Sequence, residues 1–334
     1  MIVELSRSLF SSETLDDLDD VLLLEILRLG MHGRFGVKTR PAFRKDGGEP
    51  INRWIAQQSP RAAETATRGL ERGLQWKEYS WPKGRLEPRV IIESKGQPDW
   101  PRSFDEGPAR LALGQDVERL LRRPLRLKLE NEINDRHFLE RTVPAMWRKR
   151  WRTAMSNGWI EPEQGGGISE IRRVLINEVA ADDCRRLRLW VMFDSDATGP
   201  GDVHEEAERT RAACEDVGVP YHMLERRMIE NYVPEPAMRG WVTRVQAAAQ
   251  GSNSPKAHEE ARRLVKAIEG YWALPPDERH FVQLKAHEKI GKKYGLGGPA
   301  DIWRQQQSIT ESDLSNDGWD GERSALFLSL FASL

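Results

Sequence analysis

Apolar and polar positions follow a repeating order through the middle of this chain. Leu125-Arg126-Leu127-Lys128-Leu129 alternates with period 2, as a half-buried strand does, and stops at Glu130. Trp190-Val191-Met192-Phe193 is an unbroken apolar run that gives way to Asp194-Ser195-Asp196. Val219 to Leu224 reads as a third short strand, followed by Arg226-Arg227-Met228-Ile229-Glu230-Asn231-Tyr232. Helical patterns fall between them. One runs from Arg136 through Leu139 toward Val143, and one from Glu205 to Val217, rich in Ala, Glu and Arg. Strands alternating with helices predict a parallel sheet, which gathers the carboxyl ends of its strands along one edge.

The flanks are less regular. Ser12 to Leu29 predicts an amphipathic helix ending near Gly30, and Pro88 to Gly96 a strand. Lys45 to Pro50 reads as an exposed loop and Pro98 to Arg102 as a linker. Gly165-Gly166-Gly167 precedes a helix reaching Val179, with Ser169 as its expected N-cap. The glycine amides would suit a phosphate, and a plain loop would use the same residues. Beyond residue 235 the pattern is mainly helical, with one helix over Lys256–Ile268 after Ser254-Pro255 and another over Phe281–Ile290. The expected division is therefore 1–115 (an α+β region), 116–235 (an α/β parallel-sheet core) and 236–334 (a helical region).

Composition bounds this picture without changing it. The 334 residues contain 39% hydrophobic and 31% charged residues, enough for a sizeable core. No apolar run is long enough to span a bilayer, and the start lacks a signal-peptide pattern, so a cytoplasmic location is expected. The two cysteines, Cys184 and Cys214, have no metal-binding spacing, and no His-x-x-x-His pair occurs. The formal charge of -1 excludes a uniformly basic nucleic-acid binder. Basic residues do cluster: Arg119, Arg122, Arg123, Arg126 and Lys128, then Arg148, Lys149, Arg150 and Arg152 interleaved with Trp147 and Trp151. Such patches could neutralise phosphates and stack bases. A solvated helix face with its Trp residues buried has the same composition.

The acids are the main candidate chemistry. Period 2 would place Asp194 and Asp196 on one side of an extended strand, where two carboxylates resist joint ionisation. A hard divalent cation removes that conflict, and Mg2+ accepts one or two carboxylates together with phosphate oxygens. Glu130 and Glu230 lie at or just beyond the other two strand ends. A turn boundary also favours Asp, Ser and Gly, so the pair alone is not diagnostic.

In order and spacing these motifs resemble the TOPRIM domain, the metal-binding α/β module of topoisomerases, bacterial primases and a class of nucleases. The likeness covers roughly Asp116 to Pro234. The tail Arg227-Met228-Ile229-Glu230-Asn231-Tyr232 is similar to that of the OLD-type nucleases and related phage-defence effectors. The resemblance implies a Rossmann-like fold and metal ligation by Glu130, Asp194 and Asp196, with Glu230 and Asp135 as further acids. It also implies Mg2+ or Mn2+ as cofactor, a DNA or RNA substrate, and a Lys after the acidic motifs, Lys285 or Lys289, to stabilise transition-state charge. The family's usual Gly after the first Glu is replaced by Asn131, a residue that tolerates the left-handed region. No Gly-x-x-x-x-Gly-Lys-Ser/Thr occurs, so the ATPase of full OLD proteins would come from a partner chain. Homo-oligomerisation stays open.

Three other readings compete. Asp194-Ser195-Asp196-Ala197-Thr198 also resembles the Asp-x-Asp-x-Thr motif of HAD-type phosphatases, with Asp194 as nucleophile. Glu93-Ser94-Lys95 resembles the Glu-x-Lys triplet of PD-(D/E)xK nucleases. A non-catalytic TOPRIM-like module that binds another protein would retain the fold and leave the acids idle.

Overall fold

The computed structural model describes residues 1–11, 18–45, 47–76, 89–103, 106–284, 288–305, 309–316 and 318–334. It contains two four-stranded sheets, each wholly parallel. The first comprises β1 (Ile2–Leu5), β2 (Gly36–Thr39), β3 (Arg89–Glu93) and β4 (Ala109–Ala112), in the order β2-β1-β3-β4. The second comprises β5 (Leu125–Leu129), β6 (Ile160–Gln164), β7 (Leu189–Phe193) and β8 (Tyr221–Met223), in the order β6-β5-β7-β8. Both sheets thus follow the same order, with the first strand of each flanked by its second and third.

The N-terminal part was expected to be α+β and is instead α/β. Helix α1 (Asp20–His32) connects β1 to β2, and α2 (Pro50–Gln57) and α3 (Pro60–Leu74) lie between β2 and β3. Three of that sheet's strands have four residues, too short for period 2 to register in the sequence. Helix α1 begins at Asp20 because the Asp19 carboxylate accepts the Leu22 N–H at 2.9 Å, and it ends at Gly33 with φ +83°. Residues Ser12 to Asp17, assigned to that helix from the sequence, lie outside the described residues. The linker reading of Pro98–Arg102 also changes, because Asp99 makes an isolated antiparallel bridge to Arg110 of β4.

The second sheet has helices on both faces. Leu125, Leu127, Leu129, Trp190 and Met192 face a core shared with α5 (Glu132–Thr142) and α6 (Ala145–Ser156). The C-terminal helices contribute to the same core. They are α10 (Glu235–Gln250), α11 (Pro255–Ala273), α14 (Ile302–Gln305), α15 (Glu311–Ser315) and α16 (Asp320–Ser333), while the short α12 (Pro276–Arg279) and α13 (Glu288–Lys293) lie between α11 and α14 along the chain. Leu189, Val191 and Phe193 face the other way, onto α7 (Ile168–Val174) and α9 (Glu205–Val217). A strand apolar on both faces needs two covering layers, which explains why Trp190–Phe193 lacks alternation. Between α7 and β7 lie a π-helical turn, Leu175–Val179, and α8 (Asp183–Arg186). Helix α4 (Gln115–Arg122) leads into β5, while its Val117, Leu120 and Leu121 pack in the core of the first sheet.

Strand β6 was not anticipated. Its sequence, Ile-Glu-Pro-Glu-Gln, contains one aliphatic residue, and Pro162 suits only a sheet edge. Its contribution is electrostatic: Glu163 pairs with Arg126 at 2.9 Å and Lys128 at 3.0 Å, the polar positions of β5. The helix after Gly167 is capped by that glycine, not by Ser169. No helix is long and apolar enough to cross a membrane among the described residues.

Candidate metal site at the carboxyl edge of the second sheet

In an open parallel sheet, ligands bind beyond the strand carboxyl ends where the strand order reverses direction. In the second sheet that point lies between β5 and β7. Leu129 pairs with Met192, so the chain leaves the two strands side by side as Glu130 and Asp194. The Asp194 N–H approaches Oε2 of Glu130 at 3.4 Å. Two of the acids expected from the sequence are therefore neighbours, although 64 residues separate them.

Local hydrogen bonds hold each in place. Gln164, at the end of β6, donates from Nε2 to the Glu130 carbonyl at 2.8 Å and accepts the Glu132 N–H at 2.9 Å. Asn131 is the N-cap of α5, with φ −126°, and accepts the Asn134 N–H at 3.3 Å. The left-handed turn expected at Asn131 is thus absent, because a cap requires extended backbone there. The Asp135 carboxylate accepts the Asn131 N–H at 2.8 Å, and the residue is 4% exposed. One acid thereby braces the turn that carries another.

The Asp194–Asp196 turn differs from the expected pleat. Strand β7 ends at Phe193, and Asp196 has φ +47°, so alternation along a strand does not align the two carboxylates. A left-handed conformation costs about 1 kcal/mol for an L-residue, less for Asp than for most. Three contacts hold the turn: Asp196 N–H to the Arg227 carbonyl at 3.0 Å, Ser195 Oγ to the Arg226 carbonyl at 3.0 Å, and His204 N–H to the Ser195 carbonyl at 3.1 Å. Asp194 is buried and Asp196 is partly exposed.

Glu230 lies in a 3-10 turn, Ile229–Tyr232, and is 6% exposed. The turn is clamped by the C-terminal helices: Trp303 Nε1 donates to the Ile229 carbonyl at 3.2 Å, and Asn231 Nδ2 to the carbonyls of Arg279 and Val282 at 3.3 and 3.1 Å. Tyr232 is fully buried. Its hydroxyl lies 2.6 and 2.7 Å from the Glu322 carboxylate oxygens and accepts the Arg226 N–H at 2.9 Å. Burial and the Glu322 charge hold that phenol well above the usual tyrosine range, and its two hydrogen-bonded contacts support the turn.

Among the described residues no three His, Cys, Asp or Glu side chains converge closely enough to enclose one ion. The helix expected over Phe281–Ile290 is not formed as a whole: Phe281 to Leu284 is a turn and coil, and α13 starts at Glu288. Lys289 is exposed on α13, and Lys285 lies outside the described residues. Sequence reasoning missed Arg227 as a cation beside the acids. Its Nη1 donates to the Ala197 and Phe281 carbonyls, each at 3.4 Å, and its buried Nε has no hydrogen-bond partner. The signal was present, since Arg227 opens the Met-Ile-Glu-Asn-Tyr segment.

Several residues of the two basic patches are ion-paired within the chain, and the two tryptophans are buried. Arg119 and Arg123 pair with Asp182, Arg122 with Glu118, and Arg126 and Lys128 with Glu163. Trp147 and Trp151 are 4% and 3% exposed and pack on Phe327, so neither face is open to a base. Glu93 ends β3 at the switch point of the first sheet, but its carboxylate is paired with Arg110 at 3.0 Å. Thr198, the last residue of the phosphatase-like motif, bonds its hydroxyl to Asp202. No family model, curated protein or solved structure matches the chain.

Proposed function

We propose that this chain is a Mg2+-dependent nuclease of the TOPRIM type, acting as an effector in antiviral defence. The observation that carries the reading is the meeting of Glu130 and Asp194 at the switch point of a parallel sheet. Carboxylate oxygens are hard donors, and Mg2+ takes one or two of them while keeping water and substrate phosphate as its other ligands. Two acids on neighbouring strand ends, with the partly exposed Asp196 two residues on, suit such an open site better than an all-protein cage. Bound there, the ion would polarise the phosphoryl oxygen and lower the pKa of the attacking water.

The chain's own residues have distinct tasks in this reading. Glu130 and Asp194 hold the ion, and Asp196, turned outward by its positive φ, holds a second ion or orients water. Glu230 adds negative charge behind the turn. Arg227 is the group placed to neutralise charge on a phosphate approaching the Asp194–Ala197 loop. Gln164, Asn131 and Asp135 position Glu130 without touching substrate.

The test is cleavage of plasmid, linear DNA and tRNA by the purified chain, with Mg2+ or Mn2+ and with a chelator. Metal-dependent cleavage of at least one substrate is expected. A chain that cleaves none of them, alone or with a co-expressed partner, would overturn the proposal. Trapping by beryllofluoride would favour the aspartyl-phosphate chemistry of a phosphatase.

A further inference from the structure

The amino ends of β5, β6 and β7 form a different site. At ~3.3 Å per residue, these strands place it about 15 Å from the acids, on the opposite edge of the sheet. Arg123, Arg126, Arg185 and Arg188, with Glu161 and Asp182, line a cavity of about 360 Å³ there. Three of the arginines have a carboxylate within the chain: Arg123 has Asp182 at 3.1 Å, Arg126 has Glu163 at 2.9 Å, and Arg185 has Glu178 at 2.9 Å.

Arg188 is different. It is 1% exposed, its Nε donates to the Arg123 carbonyl at 3.2 Å, and its Nη1 donates to the Ser333 carbonyl at 3.0 Å. Its buried Nη2 has no hydrogen-bond partner. Arg34, itself 6% exposed, is close enough to repel it and donates to the carbonyls of Arg122 and Arg123. Burial first, and Arg34 second, push the Arg188 guanidinium down to about 9. A guanidinium keeps its proton in proteins, so that depression is a standing electrostatic cost. Buried charges are normally paired, and no described carboxylate pairs with this one.

We propose that this cavity binds a small phosphate-bearing molecule, with Arg123, Arg126 and Arg185 around its rim and the charge of the buried Arg188 guanidinium beneath them. The planar guanidinium fork matches phosphate oxygens in geometry and charge. The volume lies near the lower end of the small-molecule range of about 300–1,000 Å³. A charge this deep suits a compact ligand more than a nucleic-acid backbone tracking across a surface. Glu161 and Asp182 offset part of the positive charge, which favours a monophosphate over a triphosphate.

The experiment is calorimetric titration of the full chain, in chelated metal-free buffer, with inorganic phosphate, a nucleoside monophosphate and a single-stranded oligonucleotide. Arg188→Met, which keeps the volume and removes the charge, should weaken phosphate binding at least tenfold. Arg185→Gln, at the rim, should weaken it severalfold and serves if the first variant fails to fold. Binding of phosphate alone, or of the nucleotide more tightly, identifies the source of the ligand, and either supports the site. The proposal is overturned if the chain binds neither small ligand at millimolar concentration. It is also overturned if the folded variants bind as well as the parent, or if the oligonucleotide alone binds.

Discussion

At the residue scale, two of the acids assigned to the proposed site differ in how they are held. Glu130 leaves a strand into a capped helix, whereas Asp196 lies in a left-handed turn fixed by the Arg227 carbonyl. Asp194→Asn and Asp196→Asn are each expected to lower metal-dependent cleavage by about 100-fold or more, the order seen when a transition-state partner is removed. Circular dichroism should show both variants folded, and full activity in either would remove that residue from the site. Glu130→Gln should behave the same way, while Glu93→Gln, which loses only a pair with Arg110, should stay active. The reverse pattern in the same assay would move the site to the first sheet. The cysteines give an independent check on the core. Burial pushes Cys184 up to about 11 and Cys214 higher still, so both stay protonated near neutral pH. Thiol labelling at pH 8 should be slow in the native chain and rapid for both cysteines after denaturation.

At the element scale, the Ile229–Tyr232 turn depends on contacts from elsewhere in the chain. Phe138 and Trp319 pack on Tyr232 and on each other, and Trp303 packs on Phe138, at centroid distances of 5.0–5.8 Å, and the Tyr232 hydroxyl joins Glu322 to the Arg226 N–H. Tyr232→Phe leaves a buried N–H without its acceptor, at a cost of about 1–3 kcal/mol. Cleavage should persist, since no step uses the phenol; its loss in a folded variant would reopen a nucleophilic role. The sign of the pH effect follows from the raised folded-state pKa. The neutral phenol is favoured by folding, so its contribution is intact below about pH 10, where an unfolded tyrosine titrates. It is lost as pH rises above that value. Chemical denaturation between pH 8 and 11 should show a steeper loss of stability in the parent than in Tyr232→Phe.

At the scale of the whole molecule, both parallel sheets have the same strand order, yet only one places two acids side by side at its switch point. A metal nuclease free in a cell would damage its host, and the chain has no Gly-x-x-x-x-Gly-Lys-Ser/Thr loop for sensing nucleotide. The isolated chain is therefore expected to be weakly active and to be held or released by a partner such as an ATPase. The N-terminal segment before Pro101 and the C-terminal helices are the surfaces proposed for it. A partner that binds only the folded chain should raise its melting temperature as partner concentration rises. High turnover by the chain purified alone, together with harmless expression in cells, would rule out this control.

Much of the second sheet could be read from the sequence because its signals are local. Alternation in Leu125–Leu129, the apolar run before Asp194 and the span of α9, Glu205–Val217, each follow from residues adjacent in the chain. The order of the acids along the chain was legible for the same reason. Only the tertiary structure decided what lies beside what. Strand β6 pairs along β5 and its Glu163 meets Arg126 and Lys128, a partnership that no period within Ile-Glu-Pro-Glu-Gln reveals. The left-handed Asp196 depends on a carbonyl from the Arg227 loop, and the burial of Trp147 and Trp151 on a helix more than 160 residues away. Residues of the two cationic patches find acids on other elements, Arg123 with Asp182, Arg126 with Glu163 and Arg148 with Glu311. Arg188 became conspicuous because no acid among the described residues pairs with it. Periodicity and turn chemistry act over a few residues, whereas charge pairing and burial are set by neighbours that the fold alone brings together.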